Sequence, residues 1–491
     1  MSEERDPGSR IILPGGVRPG GIVGPDGRPI SSHTLEEEEG APGSSGGPAL
    51  PSHPRLRPLE VQEVREGGRS MVVLSDPSGI APQAIAVSAE ALPLLMLLDG
   101  SVALADLMEL VDRETGDTRA GENVRKLVEE LDQRLLLESP RYFEARDAVR
   151  AAYRAEPSRT AALAGISYPA DAPALTSFLA AHDEMARTWR DGKAPAPGVP
   201  GDTTGLVGTH APPTSAPATT APRAIAAPHI DPRRGGSLLA RAYLELDGLT
   251  NDALPDVIFV FGTGHAMLEE PYAITAKAYE TPLGSVPTDG EIVRAIVERA
   301  GEFLWAEEMA HRDEHSIEFQ AIALRHRLGA KSFRMVPILC GGFHALLRTD
   351  QRPEQDSKVE ALVAAVSSAA AGLERDGQKV AFVAGVDLSH VGARFGDVVD
   401  LDSETLGDIE KRDRDALAAA ARGDAGAWFD AIAAHGDSTR ICGYAAMYTM
   451  LRVAAPGDGR LLAYEQSLEE GGSVVSYASM VWPGSRSTTQ T

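Results

Sequence analysis

The sequence predicts an α/β fold, an α/β/α sandwich that spans residues 159–482. From residue 225 onward, short apolar runs typical of buried strands alternate with longer segments whose apolar residues recur at helical spacing. Connections of this kind lay helices against both faces of a sheet. Hydrophobic residues make up 43% of the 491 residues, so the chain has enough apolar surface to bury a sizeable core.

Each element of this domain follows from its own pattern. Runs of branched and aromatic residues predict strands at 224–227, 257–261, 335–339, 380–386 and 474–480. Apolar residues at helical spacing predict helices at 174–187, 290–301, 316–328, 357–373, 403–422 and 442–453. Residues 193–222 are rich in Pro, Ala, Thr and Gly, a composition that stays extended and solvated. They are therefore predicted to form a flexible surface insertion.

A small domain is predicted at residues 57–150. Residues 71–74 have the pattern of a strand, and two amphipathic helices follow, with apolar faces within 104–111 and 124–131. Residues 94–138 resemble the winged helix of PqqD-like proteins, which implies a winged-helix-like domain that binds a peptide. A helical packing domain without a ligand is the alternative. Residues 1–56 and 483–491 are predicted to be disordered tails, the first because it holds too little apolar surface to offset its ordering entropy.

Charge and composition argue against several classes of function. The formal net charge is -24, and so acidic a surface repels nucleic-acid phosphates and anionic lipid. No run approaches the roughly 18 apolar residues of a membrane span, and no basic segment followed by an apolar one marks a signal peptide. Two cysteines are too few for a disulfide framework and fit a reducing compartment, which predicts a cytoplasmic protein.

Three predicted strands run into segments that carry a histidine: His229, His265 and His390. The carboxyl ends of parallel strands meet at one edge of an α/β sheet, where ligands bind. We therefore predict that the three loops converge on one pocket. The alternative for residues 387–390 is a plain helix cap.

Two further segments carry reactive side chains. Glu314 and His315 precede an apolar helix, where a glutamate is favourable electrostatically and the histidine is predicted to point into the pocket. Cys442 opens another predicted helix, whose positive N-terminal potential favours the thiolate, a nucleophile or a metal ligand. Cys340 ends an apolar strand and is predicted to be a packed core thiol.

Five short motifs occur in the order found in the Memo family, whose bacterial members are also called AmmeMemoRadiSam system protein B. They are PHID (228–231), GTGH (262–265), EHSIE (314–318), DLSH (387–390) and ICGY (441–444). This resemblance implies a sandwich similar to class III extradiol dioxygenases, with one metal ion held by His229, His265 and Cys442. It also implies that Asp387 and His390 line the pocket.

The implied ligand set favours particular chemistry. It leaves a coordination position open and suits iron or copper, and chemically also zinc. Extradiol enzymes usually use two histidines and a carboxylate, so the thiolate favours other redox chemistry or metal handling. His390 is predicted to be a general acid/base oriented by Asp387, with His315 beside it. The family name implies an AMMECR-type protein and a radical SAM protein as partners.

Two other functions stay open. Cys442 could be the nucleophile of a metal-independent cysteine hydrolase, with His390 or His315 as its base. The domain could also be a non-catalytic scaffold that binds a partner or peptide. The sequence departs from the family at residues 230–232 and 263–266, beside two of the ligands, so the substrate does not follow from the resemblance.

Overall fold

The chain divides into two units in the computed structural model, Met1–Ala155 and Glu156–Thr491. The structure describes residues 50–484, apart from residues 67, 68, 77, 195, 196, 198–219, 267, 348, 350 and 470. Residues 1–49 and 485–491 of the predicted tails, and most of the predicted insertion at 193–222, therefore lie outside the described residues. Each unit has an apolar core of its own.

The first unit contains a three-stranded antiparallel sheet and helices. Its elements are β1 (Glu60–Glu66), β2 (Arg69–Ser75), β3 (Ile85–Ser88), α1 (Leu92–Met96), α2 (Leu104–Thr115), α3 (Ala120–Gln133) and α4 (Pro140–Ala155). The strands pair in the order β1-β2-β3. Val72 and Leu74, alternate residues of β2, are buried in one core with Leu107 of α2 and Val128 of α3.

The edges of this unit differ from the predicted 57–150. Leu56 is buried and forms a bridge with Leu137, so regular structure begins before residue 57. At the other end, α4 continues to Ala155. A single leucine after a Pro-rich stretch gives no periodic signal, so the sequence pattern does not reveal that Leu56 is part of this unit.

The second unit carries the predicted α/β pattern. Its strands are β4 (Ser158–Arg159), β5 (Ala224–Ala227), β6 (Val257–Thr263), β7 (Tyr272–Ile274), β8 (Ala278–Tyr279), β9 (Arg334–Cys340), β10 (Val380–Gly385), β11 (Asp387–Gly392), β12 (Arg460–Glu469) and β13 (Ser473–Trp482). Its helices are α5 (Ala172–Arg190), α6 (Pro232–Tyr243), α7 (Gly290–Ala300), α8 (Phe303–Ala306), α9 (His315–Leu328), α10 (His344–Leu347), α11 (Ser357–Arg375), α12 (Ser403–Ala421), α13 (Ala425–Ala433) and α14 (Tyr444–Ala454).

Eight of these strands form one mixed sheet in the described part of the chain, in the order β11-β13-β5-β10-β6-β9-β7, with β12 paired to β13. The central strands β5, β10, β6 and β9 are parallel. The strands β13 and β7 run antiparallel to them. The carboxyl ends of the four central strands therefore share one edge of the sheet.

Helices cover both faces of this sheet, as the sequence predicts. In β6, Phe259 and Phe261 face the core formed with α11 and α14, whereas Ile258 and Val260 face the core formed with α6 and α9. A strand buried on both faces is apolar throughout, which explains its unbroken Val-Ile-Phe-Val-Phe run. The α/β fold is confirmed.

Most predicted elements lie within three residues of the observed ones. Residues 387–392 are an exception, because they form a strand rather than a loop or helix cap. The helix predicted at 442–453 begins two residues later, at Tyr444, which leaves Cys442 just before it. The helices α6 and α13 and the strand β12 were not predicted. No helix in the described ranges is both long enough and apolar enough to cross a membrane.

Candidate metal centre

Two imidazoles and one thiol meet beyond the carboxyl ends of the central strands. His229 follows β5 and His265 follows β6, on either side of β10 in the sheet, and Cys442 comes just before α14. One ligand atom from each lies within 4.8 Å of the others. The Cys442 Sγ lies 3.2 Å from the His229 Nε2. The three residues that the sequence singles out as metal ligands thus converge.

His265 is held by Glu314. The Glu314 carboxylate accepts hydrogen bonds from the His265 backbone N–H at 2.8 Å and from its Nδ1 at 2.9 Å. A proton on Nδ1 leaves the Nε2 lone pair free for a ligand. Burial alone would raise the pKa of Glu314. The His265 and His315 imidazoles and the Ser316 N–H overcome this and hold that pKa well below its ordinary value.

The same carboxylate caps α9, since the Ser316 N–H also donates to it at 2.9 Å. The sequence predicts only this capping role, so the contact with His265 is a site feature that sequence reasoning missed. Helix α9 approaches the end of β6 closely, because Gly262 has no side chain: a Cβ there would lie 2.5 Å from both Ile317 and Ser316.

His229 is almost fully buried, and Asp387 lies beside it. The His229 backbone N–H donates to the Asp387 Oδ1 at 2.9 Å, and the His229 Nε2 lies 3.8 Å from the Asp387 Oδ2. Gln320 of α9 donates to the Pro228 carbonyl at 3.0 Å and fixes the preceding residue. Burial lowers the pKa of His229 despite the nearby carboxylate, so its imidazole is neutral and able to bind a metal ion.

Cys442 is presented by a tightly wound segment. Asp437 and Arg440 adopt left-handed backbone angles, with φ of 49° and 54°, and are two of the four non-glycine residues that do so in the described ranges. The Asp437 carboxylate accepts from the Ile441 N–H at 2.8 Å. Gly443 then lies against Val386 at the end of β10, so the thiol reaches the edge of the sheet.

His390 lies near this group but outside the cluster of close ligand atoms. Its Nδ1 faces the carbonyls of Leu388 at 2.9 Å and Arg440 at 3.2 Å. Backbone carbonyls thus hold the His390 ring on its Nδ1 side, whereas the Asp387 carboxylate accepts from the His229 N–H. Burial lowers the pKa of His390 to about 4. The imidazole is neutral at neutral pH, with the Nε2 as its free acceptor.

His315 lies beside two of the candidate ligands, His265 and His229. Its ring stacks on His265 with centroids 4.6 Å apart and meets the His229 ring edge-on at 5.4 Å. Desolvation and the neighbouring His265 lower the pKa of His315. Cys340, by contrast, is buried in the core at the end of β9, where burial raises the pKa of its thiol far above the ordinary value.

The second unit is similar to proteins of a known family. A model of Memo-like proteins matches residues 159–481. A MEMO1 family protein of Aquifex aeolicus is 25% identical over 419 residues, which cover 84% of this chain and 95% of that protein. One of Methanopyrus kandleri is 27% identical over 265 residues, 52% of this chain and 82% of the relative. One of Pyrococcus furiosus is 32% identical over 174 residues, 35% of this chain and 53% of the relative.

Proposed function

Because the chain belongs to the Memo-like protein family, as its five motifs predict, we propose that it binds one iron or copper ion for redox chemistry. The observation that carries the proposal is the convergence of His229, His265 and Cys442, whose ligand atoms lie within 4.8 Å of one another. They come from three separate segments of the chain, so the grouping is a product of the fold.

The residues present fit such an ion. Two imidazoles and a thiolate are donors that iron and copper accept, and that zinc accepts as well. A bound iron or copper ion would supply one-electron redox chemistry at the coordination position that three protein ligands leave open. Glu314 would keep the Nε2 of His265 directed at the ion, and Asp387 would hold the backbone of His229.

His390 would serve as a proton acceptor at this site. Its Nδ1 faces backbone carbonyls, so the proton resides there and the Nε2 carries the lone pair. A neutral imidazole with that tautomer accepts a proton from a substrate hydroxyl or water and returns it later. His315 stays neutral as well, and its ring nitrogens add hydrogen-bonding groups beside His265.

Elemental analysis of protein purified without a polyhistidine tag tests the metal site. We expect about one iron or copper ion per chain, lost in both His229→Ala and Cys442→Ala, because two ligands hold an ion much more weakly than three. Cys340→Ala is the matched control and keeps its metal, since that thiol lies in the core. Equal metal content in Cys442→Ala and the unmodified protein would contradict the proposal.

A cysteine hydrolase is the second candidate, favoured by the 3.2 Å contact between the Cys442 Sγ and the His229 Nε2. In that case His229, rather than His390 or His315, would be the base that activates the thiol. This function predicts metal-free protein in which iodoacetamide alkylates Cys442 rapidly, with the reaction slowed in His229→Gln. Protection of Cys442 by bound metal supports the first proposal instead.

We propose partners for this protein on the basis of its family. An AMMECR-type protein and a radical SAM protein would act with this chain in one modification system, and the first unit would bind a peptide substrate. Co-expression with candidate proteins of these two types tests the idea, with recovery of a complex by size-exclusion chromatography as the readout. A chain that elutes alone with every candidate would count against it.

A further inference from the structure

A buried carboxylate lies directly behind the strand that carries Asp387 and His390. Asp413, on α12, is fully buried and receives three hydroxyl hydrogen bonds. Ser389 donates at 2.6 Å, Ser476 at 2.5 Å and Tyr464 at 2.8 Å. These donors come from β11, β13 and β12, so one carboxylate ties three strands to one helix. None of the chemistry proposed above uses it.

The strand β11 is irregular at this place. Asp387 pairs with Tyr477 and His390 with Val475, and the register shifts between the two pairs. Two residues of β11, Leu388 and Ser389, therefore oppose the single residue 476 of β13, which defines a β-bulge.

The bulge decides where the two site residues point. In a regular strand, residues three apart face opposite sides of the sheet. Tyr477 and Val475 are two apart and share a face, and cross-strand partners lie on the same face as each other. Asp387 and His390 therefore share a face because of the bulge, and both can reach the metal-binding cleft.

We propose that Asp413 is a positioning residue that fixes this bulge and so turns Asp387 and His390 together toward the cleft. The contacts that support it meet at Ser389, inside the bulge. Its backbone N–H donates to the Ser476 Oγ at 2.9 Å, and its own hydroxyl donates to Asp413. Asp413 in turn orients the Ser476 hydroxyl, so that the serine oxygen faces the bulge N–H. This inference rests on the proposed function in one respect only, namely that the cleft binds a metal ion.

The tautomer of His390 is the decisive readout. In the unmodified protein its Nδ1 faces two carbonyls, so nitrogen NMR of the labelled ring at pH 8 should show the Nδ1–H form, assigned by loss of the signal in His390→Gln. Asp413→Ala should release the bulge and shift the ring toward a mixture of both tautomers. Asp413→Asn, which keeps one acceptor oxygen, should restore part of the original signal.

Two further variants complete the test. Ser476→Ala removes the acceptor of the bulge N–H and one of the three hydroxyl donors to Asp413, but keeps the carboxylate itself. It should shift the tautomer in the same direction, which covers the case that Asp413→Ala does not fold. Asp183→Asn alters a buried carboxylate of α5 that pairs with His326 and Arg327, and should leave the His390 signal unchanged.

Metal affinity gives a second, separate readout, with a loss of roughly 10-fold or more expected in Asp413→Ala, because a displaced Asp387 no longer holds the backbone of the candidate ligand His229. Folded Asp413→Ala and Ser476→Ala proteins that keep the Nδ1–H signal would overturn the proposal. If the unmodified protein binds no metal, the proposed function fails, but the tautomer measurement still decides the role of Asp413.

Discussion

Glu314 shows how one side chain connects a helix start to a candidate metal ligand. Its carboxylate caps α9 and also holds the Nδ1 of His265 at 2.9 Å. Glu314→Gln keeps the size of the side chain but removes the charge that fixes the His265 proton. We expect metal affinity to fall roughly 10- to 100-fold, measured by competition with a chelator. Asp289→Asn, which changes the carboxylate cap of α7, should keep full affinity.

Titration of the Asp413 carboxyl group should make the stability of the protein depend on pH. Burial raises the pKa of Asp413 to about 6 from 3.8, against the three hydroxyl donors and with a contribution from Glu410. The folded protein thus holds this proton more tightly than the unfolded chain. The resulting stability is fully present below the unfolded value of 3.8 and is lost as the pH rises through about 6. The shift corresponds to about 3 kcal/mol.

Asp413→Asn cannot titrate and isolates this effect. Measured by urea unfolding, its free energy of unfolding relative to the unmodified protein should improve by about 3 kcal/mol between about pH 4 and about pH 7. A difference between the two proteins that is constant across this range would show that the carboxyl group has an ordinary pKa.

At the scale of single residues, the sequence predicted the candidate ligands that stand at the ends of strands, but it missed side-chain contacts that depend on how the elements pack. His229, His265 and Cys442 could be found because each stands next to a recognisable strand or helix. The contact of Glu314 with His265 spans 49 positions and depends on how α9 packs. Asp413 lies in the charged run 410–415, which has the composition of a solvated helix face, so its burial left no trace in the sequence.

The start of α14 is a test of packing between elements. Gly443 lies so close to the end of β10 that a Cβ would stand 2.4 Å from the Val386 Cγ1 and 2.8 Å from its Cα. Gly443→Ala should force the two elements apart and cost about 1–3 kcal/mol in thermal or urea unfolding. Metal content should also fall, because Cys442 moves with the helix start.

Gly407 provides the control for that substitution. It lies within α12, and a Cβ there would meet nothing within 4 Å. Gly407→Ala should be neutral or stabilise the protein by up to about 1 kcal/mol, since alanine restricts the unfolded chain. Equal losses in both variants would show that the close approach of α14 to β10 has no special cost.

Elements with a regular pattern were predictable, and irregular ones were not. The central strands are apolar throughout because both faces are buried, and this marks them clearly in the sequence. The strand β11 escaped prediction because it mixes Asp387, Ser389 and His390 with apolar residues and contains a bulge. Ser389 has its partners on β13 and α12, and Asp387 accepts from the His229 N–H, 158 positions away. No local pattern records contacts of this kind.

The second unit should function without the first. Its two large apolar clusters and its candidate metal ligands all lie within residues 156–491. Expressed alone, this fragment should unfold cooperatively and carry the same metal content as the full chain, measured by calorimetry and elemental analysis. A fragment that aggregates or lacks metal would mean that residues before 156 are needed to complete the fold.

The spacing of Cys442 and His229 also sets an order of events during synthesis. The two residues stand 213 positions apart. While the ribosome is still making the intervening strands, a nascent chain offers only the two imidazoles. If the chain binds an ion as proposed, the full set of three ligands would exist only once translation has passed the cysteine codon, so we expect stable insertion late in synthesis or after it.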